Sequence, residues 1–192
     1  MTRTLPRWAS RLRTRGSAVP YYRITGLLSP EGAEEVLAQI LEEEPNFSPL
    51  TGDRNFLRLP SPLPSLPIVS NRLSAVLPTV QDRLAIDLAN PTVELYVHAY
   101  NDGTYFGRHS DAHGGGNWRR RISCVYYLHR RPPGFQGGSL VVYDRDDAAH
   151  AVAPEHNSAV FFPSGLFHEV LPVTCPTRAF KDSRFGINIW IM

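Results

Sequence analysis

Cysteine, long apolar runs and charge of one sign are all scarce in this chain, and each scarcity removes a class of explanation. Cys124 and Cys175 are the two cysteines and form no Cys-x-x-Cys pair. A disulfide-stapled scaffold and a cysteine-built zinc site are therefore excluded, and cytoplasmic residence is the expectation. No run reaches the roughly 18 apolar residues of a transmembrane helix, so no transmembrane association is expected. The formal net charge is only +2. That is too small a field to gather nucleic acid over the whole surface, which makes a nucleic-acid partner unexpected. Internal repeats and a His-Glu-x-x-His helix are missing too, and nothing in the composition indicates an oligomeric state.

What is present is an ordinary globular composition, 42% hydrophobic and 20% charged over 192 residues. That length supports one domain with a sizeable core, whereas two would each be marginal. The expected division is a basic N-terminal segment over residues 1–20 and a single domain over 21–192. Arg3, Arg7, Arg11, Arg13 and Arg15 crowd the start without the apolar stretch of a secretory signal. A solvated tail, a substrate or membrane-surface arm and a targeting segment are the alternatives there.

The chain changes character near residue 92. Ser29-Pro30-Glu31 begins a helix carrying Val36, Leu37, Ile40 and Leu41 at helical spacing, with Pro45 as its stop. The proline-rich stretch from Leu57 to Pro67 reads as extended or turn-rich. A second helix is expected from about Ile68 to Leu88, with Pro78 as a kink and Asn90-Pro91 as its end. From Val93 the hydrophobic period moves towards two. Strands are expected at 93–100, 122–128, 139–143, 159–162, 167–171 and 185–191, separated by glycine- and proline-rich turns. The pattern is mainly β, a sandwich or barrel with the N-terminal helices covering an outer sheet face.

His109-Ser110-Asp111 places an imidazole and a carboxylate two residues apart, which on a strand puts both on one face. His168, in a separate strand-like segment, can complete a set of two histidines and one carboxylate. Such a facial triad leaves one side of an octahedral iron open. Zinc with the same donors remains an alternative, and an isolated His-x-Asp is common by chance. His98 shares the parity of Tyr100 and is expected to point inward. His113 is a further ligand, a substrate contact or an exposed loop residue, and His129, His150 and His156 are expected at the surface.

The order and spacing of several segments then resemble the Fe(II)- and 2-oxoglutarate-dependent dioxygenases, particularly the prolyl-4-hydroxylase-like branch. The segments are Tyr100-Asn101-Asp102-Gly103, His109-Ser110-Asp111, Arg121 to Leu128, Phe135 to Leu140, Ala159 to Pro163, His168 to Val173 and Arg184 to Trp190. The resemblance covers roughly residues 93–192. It implies a double-stranded β-helix, or jelly roll, in which His109, Asp111 and His168 hold Fe(II). It also implies that Arg184, with the Tyr100 hydroxyl, binds the distal carboxylate of 2-oxoglutarate, a pairing suited to a guanidinium fork. Branch members often carry the basic residue ten positions after the distal histidine. Arg178 stands there, and Arg184 is sixteen away, so an insertion near residues 175–180 is needed and Arg178 remains the alternative anchor.

The implied activity is hydroxylation of an unactivated C–H bond in a prolyl, peptidyl or free amino-acid substrate, with release of succinate and CO2. Ascorbate is the implied reductant for reactivation. Asp111 favours hydroxylation over halogenation, because related halogenating enzymes lack that carboxylate. A nucleobase demethylase of the same superfamily is the alternative, disfavoured by Trp190, which occupies the place of a second arginine. A non-catalytic metal-binding jelly-roll protein is the other. Substrate contacts are expected from Trp118 and Arg121, on the glycine-rich loop after Asp111 that also carries Arg119 and Arg120, and from Asn188 and Trp190, which share the parity of Arg184. Phe106, Tyr126 and Phe135 are candidate pocket walls, with ordinary jelly-roll packing as the simpler reading of each.

Overall fold

The computed structural model describes residues 19–50, 54–112 and 119–192. The arginine-rich start, His113 and Trp118 lie outside the described residues. In chain order the elements are β1 (Tyr22–Thr25), α1 (Pro30–Glu42), β2 (Ser48–Leu50), β3 (Arg54–Arg58), α2 (Leu66–Leu84), β4 (Val93–Tyr100), β5 (Tyr105–His109) and β6 (Ile122–Leu128). There follow β7 (Gln136–Gly137), β8 (Leu140–Tyr143), β9 (Ala149–Val152), β10 (Ser158–Pro163), β11 (His168–Val170), β12 (Val173–Thr174) and β13 (Arg184–Ile191).

The main sheet runs β1-β10-β6-β13-β4-β3 and continues as β5-β11-β8-β9. Strand β3 turns the corner: Leu57 and Arg58 pair with β4, whereas Arg54 and Asn55 pair with β5. One curled, antiparallel surface thus folds over itself, and the space between its halves is the cavity discussed below. This is the jelly-roll layout expected from the sequence.

Strict alternation along the central strands decides what each face meets. Phe185, Ile187, Ile189 and Ile191 of β13, with Ile122, Cys124, Tyr126 and Leu128 of β6, are buried against Val36, Ile40, Val69 and Val80 of the two helices. Burying a side chain of this size contributes about 1.5–3 kcal/mol. The intervening residues, among them Val125, Tyr127, Val160 and Phe162, form a second core on the opposite face. Tyr126 is therefore helix packing rather than a pocket wall, and its hydroxyl donates to Asn157 Oδ1 at 2.9 Å.

Helix α1 starts as its sequence demands, with Ser29 Oγ accepting from the Gly32 amide at 3.1 Å and Pro30 at the first position. Helix α2 begins two residues earlier than expected and ends at Leu84, well short of Asn90-Pro91. Ala85 adopts the left-handed conformation (φ 52°), and Gln81 Oε1 takes the Leu88 amide at 2.7 Å, so a local cap terminates the helix before proline can. Pro78 lies inside the helix. His129 is buried rather than superficial, with Nδ1 against the Arg130 carbonyl and Nε2 against the Pro154 carbonyl. Both cysteines are free and buried. No helix among the described residues is long and apolar enough to cross a membrane.

Candidate metal centre

His109 ends β5 and His168 begins β11, and the two are directly opposed in the strand register. Asp111 is not on the strand with His109 as parity suggested. It sits in the turn that follows, where the amides of Asp111 and Ala112 both donate to the Ser164 carbonyl at 3.1 Å. That turn, rather than strand alternation, brings the carboxylate to the imidazoles. One ligand atom from each of the three residues lies within 4.8 Å of the others. Asp111 Oδ1 is 3.7 Å from His109 Nε2, and Oδ2 is 3.4 Å from His168 Nε2.

The surroundings prepare these donors for a cation. Nδ1 of His109 lies 2.8 Å from the Gly107 carbonyl, and Nδ1 of His168 lies 3.1 Å from that of Leu166. A carbonyl only accepts, so each Nδ1 carries the proton and each Nε2 presents its lone pair to the cavity. Phe106 stacks on His109 with ring centroids 3.6 Å apart, fixing that ring's plane. Ser123 Oγ donates to Asp111 Oδ2 at 2.7 Å and is itself 2.8 Å from Ser164 Oγ. Burial opposes ionisation of Asp111, but hydrogen bonds from the two imidazoles in their protonated form, together with the Ser123 hydroxyl, hold its carboxyl well below the usual range.

The ligand set stands at the junction of two chambers. The inner one reaches Tyr100, Ser123, Phe162 and Arg184, together with all three metal-site residues. Arg184 is only 1% exposed, and its Nε, Nη1 and Nη2 find no hydrogen-bond partner among the described residues. Its guanidinium faces the rings of Tyr100 at 4.7 Å and Tyr127 at 4.8 Å. Burial pushes the Tyr127 phenol up to about 12 and raises that of Tyr100 as well, so both rings stay neutral beside the cation. Such cation–π contacts are worth about 0.5–2 kcal/mol each, less than the several kcal/mol that desolvating an ion costs. A buried fork of unpartnered donors beside three metal-type ligands fits an anionic, metal-chelating cosubstrate.

The backbone is shaped around that cation. Gly138 has φ +66°, and a Cβ there would come within 2.7 Å of Arg184 Cδ and 2.8 Å of Val173 Cγ2. The Asn-Asp-Gly turn after β4 secures the approach to β13. Asn101 Nδ2 donates to Ser183 Oγ at 2.7 Å, Asp102 Oδ1 accepts from the Cys175 amide at 3.0 Å, and the Gly103 amide donates to the Val173 carbonyl at 2.8 Å. Arg184 then pairs in register with Tyr100.

Arg178 does not share this position. It lies in the loop before β13 with φ 54°, its side chain 79% exposed and bonded to Asp102 Oδ2 at 3.0 Å. The loop between β12 and β13 carries it to the surface, outside the inner chamber that Arg184 lines. Arg121 is also displaced: exposed just before β6, it lines a separate surface groove with Asp87, Thr92 and Met192. Asn188 and Trp190 do line the cavity, as the parity of Arg184 suggested. Phe106 lines it as well, whereas Phe135 packs with Phe56, Tyr100 and Val170.

The outer chamber has a volume of about 380 Å³. Its lining includes Arg54, Arg58, Tyr96, His98, Arg120 and Trp190. Arg120 lies 3.7 Å over Trp190 and pairs with Glu94 at 2.9 Å, so it takes the place expected of Arg121. Arg58 was not anticipated, because β3 adjoins a proline-rich stretch that obscured it. The only sequence signal was a short run, Arg54 to Arg58, with apolar residues inside it.

The profile of the 2OG-Fe(II) oxygenase superfamily matches residues 95–192, and the chain belongs to that superfamily. An uncharacterised PKHD-type hydroxylase of Synechocystis is 30% identical over 189 residues, covering 89% of this chain and 62% of that protein. The chain thus spans less than two thirds of the length of the curated relatives it matches. In architecture it is similar to a Pseudomonas putida prolyl-4-hydroxylase, at 20% identity and a TM-score of 0.69 with 90% and 91% of the two chains covered. It is similar also to a Trichoplax adhaerens prolyl hydroxylase in complex with a hypoxia inducible factor peptide fragment. There the identity is 20% and the TM-score 0.70, over 90% and 83% of the chains.

Proposed function

We propose that this protein is an Fe(II)- and 2-oxoglutarate-dependent hydroxylase of a C–H bond in a prolyl, peptidyl or free amino-acid substrate. The observation that carries the reading is the single cavity holding both the His109–Asp111–His168 donor set and the unpartnered Arg184 guanidinium. Iron with 2-oxoglutarate supplies the oxidation of the substrate carbon by dioxygen, with succinate and CO2 as coproducts. His109, Asp111 and His168 would hold the metal, while Arg184 binds the distal carboxylate and Tyr100 closes the chamber beside it. The protein's task is to ligate, orient and exclude water; no side chain here has to act as a general acid or base. Ascorbate would serve as reductant for reactivation. Two free buried cysteines agree with residence in the cytoplasm, and residues 21–192 are taken as one catalytic domain.

The prolyl hydroxylases similar in fold and the hydroxylase relative support a hydroxylase of this kind. Anaerobic addition of Fe(II) and 2-oxoglutarate should produce a visible metal-to-ligand charge-transfer band that needs both additions and is lost in Asp111→Ala. Absence of the band in folded, metal-replete protein refutes the cosubstrate site. Its presence justifies a turnover screen of proline, prolyl peptides and other amino acids.

A further inference from the structure

We propose that the outer chamber recognises a carboxylate carried by the substrate, with Arg58 as its clamp. This deepens the hydroxylase reading and rests on it. Arg58 closes β3 and pairs in register with His98 of β4. Its guanidinium lies 3.8 Å over the Tyr96 ring, and no carboxylate among the described residues pairs with it. Its Nε is buried without a hydrogen-bond partner among the described residues.

His98 repeats the pattern. It is 4% exposed, and its Nδ1 is buried with no hydrogen-bond partner among the described residues. Two neighbouring side chains on one wall thus each hold an unmatched nitrogen, at a cost of about 1–3 kcal/mol apiece. The other chamber arginines differ. Arg120 is neutralised by Glu94 and Arg108 by Asp147, whereas Arg54 stands exposed at 5.8 Å from the Phe106 ring with no partner carboxylate among the described residues. Positive charge is left over on the β3 side.

The position explains why that charge belongs to substrate rather than cosubstrate. Arg184 serves the inner chamber and Arg58 the outer, and His109 and Asp111 line both. A molecule anchored by its carboxylate on Arg58 would lie against Tyr96 and Trp190 and extend towards the metal ligands. A chamber of about 380 Å³ lies within the range of small-ligand sites, which suits a capped amino acid or short peptide. The carboxylate is either a terminal one or that of an acidic side chain next to the oxidised residue.

The test uses the full chain loaded with Mn(II), which blocks turnover, and saturating 2-oxoglutarate, which occupies Arg184. Binding is followed by calorimetry. The probes are N-acetylated proline, leucine and phenylalanine, each compared with its primary amide, and a blocked Glu-Pro dipeptide compared with Gln-Pro. At least one acid should bind at least tenfold more tightly than its neutral partner. Arg58→Met should abolish that preference and Arg58→Lys restore part of it, with 2-oxoglutarate affinity unchanged in both variants. Preference within the free acids assigns a terminal carboxylate, and preference for Glu-Pro alone assigns a side chain. Normal 2-oxoglutarate binding with no preference in any pair overturns the clamp and leaves the hydroxylase reading intact, as does a preference that survives Arg58→Met. Failure of 2-oxoglutarate to bind at all overturns both.

Discussion

The two faces of β13 differ in nearly everything except their strand. Phe185, Ile187, Ile189 and Ile191 point to the helices, where each is at most 1% exposed. Arg184, Asn188 and Trp190 alternate with them and face the cavity. One face is complete in itself, since apolar packing leaves nothing unmatched. The other holds a buried cation whose three nitrogens have no hydrogen-bond partner among the described residues, which costs stability unless a ligand compensates. A strand can carry both because its side chains alternate, so stability and recognition are separated by only one residue.

That division can be broken from either side. Arg184→Met should lower 2-oxoglutarate affinity by on the order of 100-fold, because truncating one partner of a buried charge pair costs about 2–5 kcal/mol. Its melting temperature without cosubstrate should hold or rise, as the unpaired charge is removed; a large fall would mean that Arg184 is a structural residue. Ile189→Ala should do the reverse. A loss of about 2–5 kcal/mol, read as a lower urea midpoint, should accompany unchanged metal and 2-oxoglutarate affinities in the folded fraction.

Ser123→Ala probes a residue that touches neither the helices nor, by this assignment, the metal itself. Loss of the bond to Asp111 Oδ2 should weaken Mn(II) binding by about 10–100-fold with little change in melting temperature. The smallest effect concerns His98, whose pKa falls from 6.5 to about 3, through burial first and the Arg58 charge second, against the opposing influence of Asn188 as an acceptor. Its folded-state value is depressed, so below 6.5 the unfolded chain binds the proton that the fold refuses. Stability is then complete above that pH and declines by about 1 kcal/mol per unit as pH falls towards about 3. His98→Gln should flatten the urea midpoint between pH 6.5 and 5; an unchanged slope there would mean that other groups control it.

Much of this was legible in the residues. The spacing of Ile122, Cys124, Tyr126 and Leu128 marked a strand, and Ser29-Pro30 marked a helix start, because local patterns report the face a side chain must bury. Arg184 opens a strand-like run in the sequence, whereas Arg178 lies in the loop before it and is exposed to solvent. The short strands β1, β3 and β9 left too little periodicity to be seen. Arg121 was misplaced by local proximity to the motif: Arg120, one residue earlier, turns back over Trp190 instead.

By itself the sequence carried the resemblance to the family, the donor types, the alternation of the β core and the residues proposed to hold the metal, since these rest on residue chemistry and the order and spacing of short segments. Tertiary structure alone decided which unmatched charges share a cavity. The turn at Asp111 is tied to Ser164, β3 folds across two sheets, and Arg58 meets His98 from forty residues away in sequence. Those pairings depend on the closure of a curled sheet, in which strands distant along the chain become neighbours, and no local period encodes that closure.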